Sequence, residues 1–225
     1  METVEDHLAT LREHMTRTYL NLRIGIALIG GFLPVVLWAG GALTGQTLLS
    51  SMSAYYNTSL RDLFVGAIVS VGVFLYLYKG FSRKENWALN LAGGFAVGLA
   101  MIPSSAPEPW STLHHVCAVS LFLSIAYVSV FRASDTLVLL NDQQKIRRLK
   151  TTYRALGIGM VLSPLAAVVL TYTLDPRSRG RSLVFFVEAL AVWMFAAYWL
   201  MKSRELSQTD AERLALEGAL VAVGS

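Results

Sequence analysis

Apolar residues gather in six long stretches, 24–43, 63–78, 87–102, 113–131, 155–174 and 183–201, with short polar connections between them. A helix crossing ~30 Å of hydrocarbon takes about 20 mostly apolar residues, with about 17 the lower limit. Four stretches reach or approach that length. The second and third are shorter and borrow flanking residues such as Leu60 and Asn86, or let Lys79 snorkel to the interface. Backbone amides find no water inside a bilayer, so helices are the spanning form such runs can take. The pattern predicts an all-α integral membrane protein with six transmembrane helices and short cytoplasmic amphipathic helices at both ends. One membrane domain covers 1–225: an amphipathic helix over 1–23, the transmembrane bundle over 24–201 and a C-terminal helix over 202–225.

Composition agrees: 54% of residues are hydrophobic and only 15% charged, against about 25% charged in soluble domains. No hydrophilic run is long enough for a second globular domain. The single cysteine, Cys117, excludes an intrachain disulfide. A formal net charge of +4 reads in a membrane protein as loop orientation, and no nucleic-acid partner is expected. The acidic, amphipathic N-terminus lacks a basic n-region and a small-residue cleavage site, so no cleavable signal is expected.

Charge sets the expected orientation. Arg12, Arg17, Arg23, Lys79, Arg83 and Lys84 fall on one side. So do Arg132, the basic cluster between Lys145 and Arg154, and Lys202, Arg204 and Arg213. The other side has Arg61 and the trio Arg177, Arg179 and Arg181, and the connection 103–112 has no basic residue. The positive-inside rule then places a multi-pass protein in the cell's inner membrane with both termini cytoplasmic.

Helical spacing of Val4, Leu8, Leu11, Met15, Tyr19 and Leu22 predicts the N-terminal amphipathic helix, with Thr3 and Asp6 as its capping start. Thr209-Asp210-Ala211-Glu212 matches a capping box before Leu214, Leu216, Leu220 and Val221. The segment 135–150 is long enough for a further cytoplasmic helix, whose basic cluster would suit anionic headgroups or simply be solvated. Gly94 and Gly98 form a G-x-x-x-G in the third stretch, and Gly159 and Ser163 a small-x-x-x-small in the fifth; close packing of these two spans is expected. Pro34 and Pro164 lie inside spans and predict kinks.

Polar residues collect towards the expected outer side. Ser53, Tyr55, Tyr56, Asn57, Arg61 and Asp62 precede or open the second span, His114 and His115 open the fourth, and Glu188 lies five residues into the sixth. A rise of 1.5 Å per residue puts that carboxyl about 7–9 Å below the interface. A charge near mid-membrane costs roughly 2.5–3.5 kcal/mol on insertion scales, so Glu188 should face the bundle and have a partner: His114, Arg61 or a tyrosine hydroxyl. Spans two, four and six are expected to hold Asp62, His114 and Glu188 around one pocket, with Arg61 at its rim. Each residue also has a structural reading. Arg61 and Asp62 suit an interfacial helix start, adjacent histidines diverge by about 100°, and a lone glutamate can be a structural hydrogen bond.

Standard catalytic signatures (H-E-x-x-H, G-x-S-x-G, a P-loop) are missing. Adjacent histidines suit one metal ion poorly and no H-x-x-x-H occurs, so neither a metal nor a cofactor is expected.

Ser51–Ser53 with Arg61, then His114-His115-Val116-Cys117-Ala118, then Phe186-Val187-Glu188 resemble three short motifs of one six-span family. That family includes the damage-regulated autophagy modulators and the Golgi factors that remodel GPI-anchor lipids. The stretch from Ser53 to Gly66 is also similar to bacterial six-span proteins of unassigned function. The chain departs from the family where Leu49-Ser50 replaces the proline before the serine, and where Tyr55 and Tyr56 intervene. The resemblance implies a site that meets a lipid headgroup at the outer leaflet.

Three functions follow as expectations. The first is a protein that binds or modifies a lipid headgroup through Ser53, Tyr55, Tyr56, Arg61, Asp62, His114, His115 and Glu188. In an enzyme of this kind His114, Glu188 or Asp62 would be the catalytic candidates, with His114 or Glu188 as general base. The second is a small transporter or channel using the same ionisable groups, although spans one, three and five offer little polar lining. The third is a non-catalytic scaffold or accessory subunit. Expected partners are membrane lipid and a further copy of the chain or another membrane protein.

Overall fold

The computed structural model describes residues 4–173 and 182–209, together with Ala211 and Leu214. The arginines at 177, 179 and 181, the predicted cap at Thr3, and most of the predicted C-terminal helix beyond Thr209 lie outside the described residues.

All regular structure among the described residues is helical. The long helices are α1 (Val4–Leu43), α2 (Arg61–Leu77), α3 (Arg83–Met101), α4 (Trp110–Tyr127), α5 (Gln143–Thr173) and α6 (Ser182–Thr209). A 3-10 turn, Ser53–Asn57, precedes α2, and a π turn, Val128–Arg132, extends α4. Four regions are long and apolar enough to cross a membrane: His7–Leu43, Trp110–Leu139, Gln143–Leu170 and Ser182–Thr209. They make this a membrane-embedded helical protein. The helices α2 and α3 are shorter, at 17 and 19 residues.

Each helix packs on its sequence neighbours, and α6 returns to α1, so the six form a closed ring. Short connections alternate the helix directions and give the bundle two ends. One end holds the connections α1–α2 and α3–α4 and the start of α6; it is called here the serine end, after Ser50, Ser51, Ser53 and Ser104. The other holds the start of α3, the end of α4 and the end of α6.

Small residues set the spacing of α2 and α3. A Cβ added to Gly93 would stand 2.6 Å from the Gly72 carbonyl oxygen, and one on Gly72 would stand 2.9 Å from that of Gly93. Lipid tails are as apolar as leucine, so membrane helices gain their packing energy from such close approaches. The expected contact of spans three and five through Gly94, Gly98 and Gly159 is not what forms. Gly94 faces open space, Gly98 abuts Cys117 of α4 and Gly159 abuts Met194 of α6. In a ring, α3 sits between α2 and α4 and cannot also reach α5. One position along a helix turns the side chain by about 100°, enough to move the contact from Gly94 to Gly93.

Two boundary expectations also change. The amphipathic stretch at 4–22 and the first span are one unbroken helix, α1, with Val4, Leu8, Leu11 and Met15 exposed along its free part. The segment 135–150 is not a separate helix. A short 3-10 turn, Leu137–Leu139, packs Leu137 into the core, and α5 begins at Gln143 and continues into the fifth span.

Candidate functional site

At the serine end the chain leaving α1 folds back over the bundle. Tyr55 anchors it: the ring is fully buried, packs tilted against Phe185 with centroids 6.1 Å apart and lies where a Cβ on Gly41 would come to 3.0 Å from it. The absence of a side chain at Gly41 is what lets the ring sit against α1. The Tyr55 hydroxyl makes no hydrogen bond among the described residues. So anchored, the segment points the Met52 N–H at α6, where it donates to Glu188 Oε2 at 2.6 Å. This backbone amide is the partner of Glu188, in place of the His114, Arg61 or tyrosine hydroxyl expected from sequence. A loop amide is invisible to residue-type reasoning, because every residue but proline carries one.

Beside that contact opens a cavity of about 510 Å³ lined by all six helices and the loop before α2. Its polar lining is confined to the serine end: Ser51 and Ser53, Glu108, His114 and His115, and Glu188 in the second turn of α6. Further in, the walls are Val71, Ala96, Leu121, Phe122, Pro164 and Phe195. Along α6 the lining runs from Val184 to Phe195, about 16 Å of helix rise. The cavity is therefore amphipathic along its length, polar at one end and apolar at the other.

Hydrogen bonds hold the polar end in place. His114 is buried, and its Nδ1 lies 2.6 Å from the carbonyl oxygen of Ile102 at the end of α3. A carbonyl only accepts, so Nδ1 carries the hydrogen and Nε2 is the acceptor of the neutral ring. His115 Nδ1 donates likewise to Ser111 O at 2.8 Å. The two rings meet edge to face, with centroids 5.4 Å apart. Ser111 Oγ donates to Ser104 O at 2.9 Å, and Ser51 and Ser53 pair through their hydroxyls at 3.1 Å. Glu108 Oε2 accepts the Thr112 N–H at 3.3 Å in the first turn of α4, where the helix dipole favours an acid.

Of the eight residues singled out from sequence, Ser53, His114, His115 and Glu188 line this cavity. The other four do not. Tyr55 supports the loop from behind. Arg61 donates from one guanidinium nitrogen to Tyr56 Oη at 2.8 Å with its charge 4.5 Å from that ring's centroid, and Asp62 is exposed beside it. Arg61 and Asp62 open α2 on its outward side, consistent with an interfacial helix start. Sequence reasoning overlooked Glu108, Ser104 and Ser111; the connection 103–112 was informative for more than its lack of basic residues. No group of three metal-ligating side chains occurs among the described residues.

A second polar cluster, also overlooked, is buried at the opposite end. Lys202 Nζ donates to Ala133 O at 2.9 Å, to Thr136 Oγ1 at 2.6 Å and to both Glu205 oxygens at 3.1 Å. Glu205 also accepts from Tyr153 Oη at 2.5 Å and from Thr136 Oγ1. Nearby, Ser82 caps α3 by accepting the Glu85 N–H at 3.2 Å, and the Glu85 carboxylate reaches back to the Phe81 N–H at 2.8 Å. Burial raises the Glu85 carboxyl above its ordinary range, and Lys202 partly offsets this. The Lys202–Glu205 pair is one helical turn apart in sequence, but nothing local marks it as buried.

Comparison with family models, curated proteins and solved structures finds no match for this chain.

Proposed function

We propose that this chain is a six-span membrane protein that binds, and can modify, the headgroup of a lipid entering from the outer leaflet. The single observation that supports this is the segregation of the cavity lining. Polar groups cluster at the serine end, and the apolar wall of α6 continues beyond them from Glu188 to Phe195, about 10 Å of helix rise. That is the profile of a site for a molecule with a head and a tail. In this reading α2 and α3 complete the six spans, both termini are cytoplasmic, and the serine end faces outward, as the loop charges suggest. Glu188 is held by the Met52 amide, so one carboxylate oxygen is fixed and the other is available to a headgroup. For headgroup chemistry, Glu188 and His114 Nε2 are the groups suited to accept a proton. The resemblance to lipid-remodelling six-span proteins points the same way. A through-channel has less support, because the far end is filled by the hydrogen-bonded Lys202, Glu205, Thr136 and Tyr153.

Native mass spectrometry of the protein released from mild detergent tests the reading. A retained lipid, lost on Glu188→Ala, is the expected result. Release of bare protein from both forms, with no lipid in the cavity by cryo-EM, would overturn it.

A further inference from the structure

The polar end of the cavity has turned most of its hydrogens inward. Ser111 gives its hydroxyl hydrogen to Ser104 O, His114 gives Nδ1–H to Ile102 O, and His115 gives Nδ1–H to Ser111 O. One hydrogen of the Ser51–Ser53 pair is consumed within the pair. The hydroxyls of Ser50, Ser104 and one of the Ser51–Ser53 pair stay able to donate or accept, and the other groups left without a partner on these lining residues are acceptors only. Glu188 Oε1 makes no hydrogen bond among the described residues, Glu108 is an ionisable carboxylate, and with Nδ1 donating to a carbonyl each histidine offers an Nε2 lone pair whenever its ring is neutral. No lysine or arginine lines the cavity among the described residues.

A phosphate group is acceptor-rich and is held by guanidinium, ammonium or clustered backbone N–H groups. Among the described residues it would meet two carboxylates, with serine hydroxyls as the side-chain donors and no cationic group. A head bearing hydroxyl or ammonium hydrogens has the complementary pattern. The volume of about 510 Å³ falls within the ~300–1,000 Å³ of small-molecule sites, the scale of one chain with a compact head.

We infer that the occupant is a single-chain amphiphile whose headgroup presents hydrogen-bond donors to Glu188, Glu108 and the histidines, with its chain between Val71, Leu121, Phe122 and Phe195. This rests on the lipid-binding reading above and adds the headgroup class.

Thermal unfolding in nanodiscs, with four ligands sharing a dodecyl chain, tests it. Dodecylamine and monododecanoylglycerol carry donor hydrogens; dodecyltrimethylammonium has the charge without the donors; dodecyl phosphate is the anionic acceptor. The first two are expected to raise the melting temperature saturably, and the last two are not. Glu188→Gln keeps an acceptor for the Met52 N–H and turns the other position into a donor. It should weaken dodecylamine and monododecanoylglycerol by up to about tenfold, the effect of losing one hydrogen bond. Should that variant fail to fold, the wild-type ranking decides. Equal or stronger stabilisation by dodecyl phosphate, or by dodecyltrimethylammonium, overturns the headgroup class while the amphiphile cavity stands. No saturable shift from any of the four overturns both.

Discussion

Gly72 and Gly93 face each other across α2 and α3 with no room for a single added carbon on either. A Cβ on Gly93 would lie 2.6 Å from the Gly72 carbonyl, while one on the adjacent Gly94 would meet nothing within 4 Å. Two neighbouring glycines in one helix thus differ completely in what they do. Gly93→Ala must push the helices apart, an overpacking cost of about 1–3 kcal/mol. Gly94→Ala adds helix propensity worth roughly 0.5–1 kcal/mol with no clash. Thermal unfolding in detergent is expected to show a lower midpoint for the first and an unchanged or raised midpoint for the second. The reverse order would mean that α2 and α3 do not meet there.

Glu188→Ala removes the acceptor of the Met52 N–H, and an amide left unsatisfied costs about 1–3 kcal/mol. Glu188→Gln retains an acceptor at that position. The alanine variant should therefore unfold at lower temperature than the glutamine variant. Equal midpoints would indicate that the loop before α2 does not depend on this bond.

Lys202 and Glu205 have side chains 3% and 0% exposed. Removing one partner strands the other charge, typically at a cost of about 3–5 kcal/mol. Lys202→Met should destabilise strongly, and adding Glu205→Leu should recover part of the loss, because the pair is removed together. A double variant no better than the single would show that the hydroxyls of Tyr153 and Thr136 depend on the carboxylate for their own satisfaction.

Glu85 gives a pH dependence of definite sign. Its folded-state pKa is raised above the ordinary carboxylate range, chiefly by burial. The folded state therefore holds the proton more tightly than the unfolded state, and the associated stability is present at low pH and lost as pH rises through the folded-state pKa. Wild type is expected to lose melting temperature over that interval, and Glu85→Gln to lose less. Parallel pH profiles for the two proteins would assign the dependence to other groups.

Orientation is open to cysteine labelling in a Cys117→Ala background. A membrane-impermeant thiol reagent added from outside should label Ala106→Cys and spare Lys84→Cys and Lys145→Cys. Labelling at 84 or 145, or protection at 106, would invert the proposed topology.

Apolar run length and loop charge were enough to read a membrane-embedded helical protein, because the bilayer forces backbone amides to pair within a segment and so ties structure to local composition. Four of the six stretches carry this signal unaided; α2 and α3, at 17 and 19 residues, are too short for length alone to decide. The depth of Glu188 in its helix likewise predicted that it would need a partner. Tertiary structure decided which partner, since the Met52 N–H comes from a loop whose path depends on Tyr55 settling between α1 and α6. It also decided which polar residues share a cavity. Helical phase turns His114 inward and leaves Asp62 exposed, and a rotation of about 100° per residue magnifies small packing differences into opposite environments. The buried Lys202–Glu205 pair was illegible for the same reason: a charged pair one turn apart looks alike on a solvated helix end and in a core, and only the approach of Thr136 and Tyr153 from α4–α5 and α5 distinguishes them.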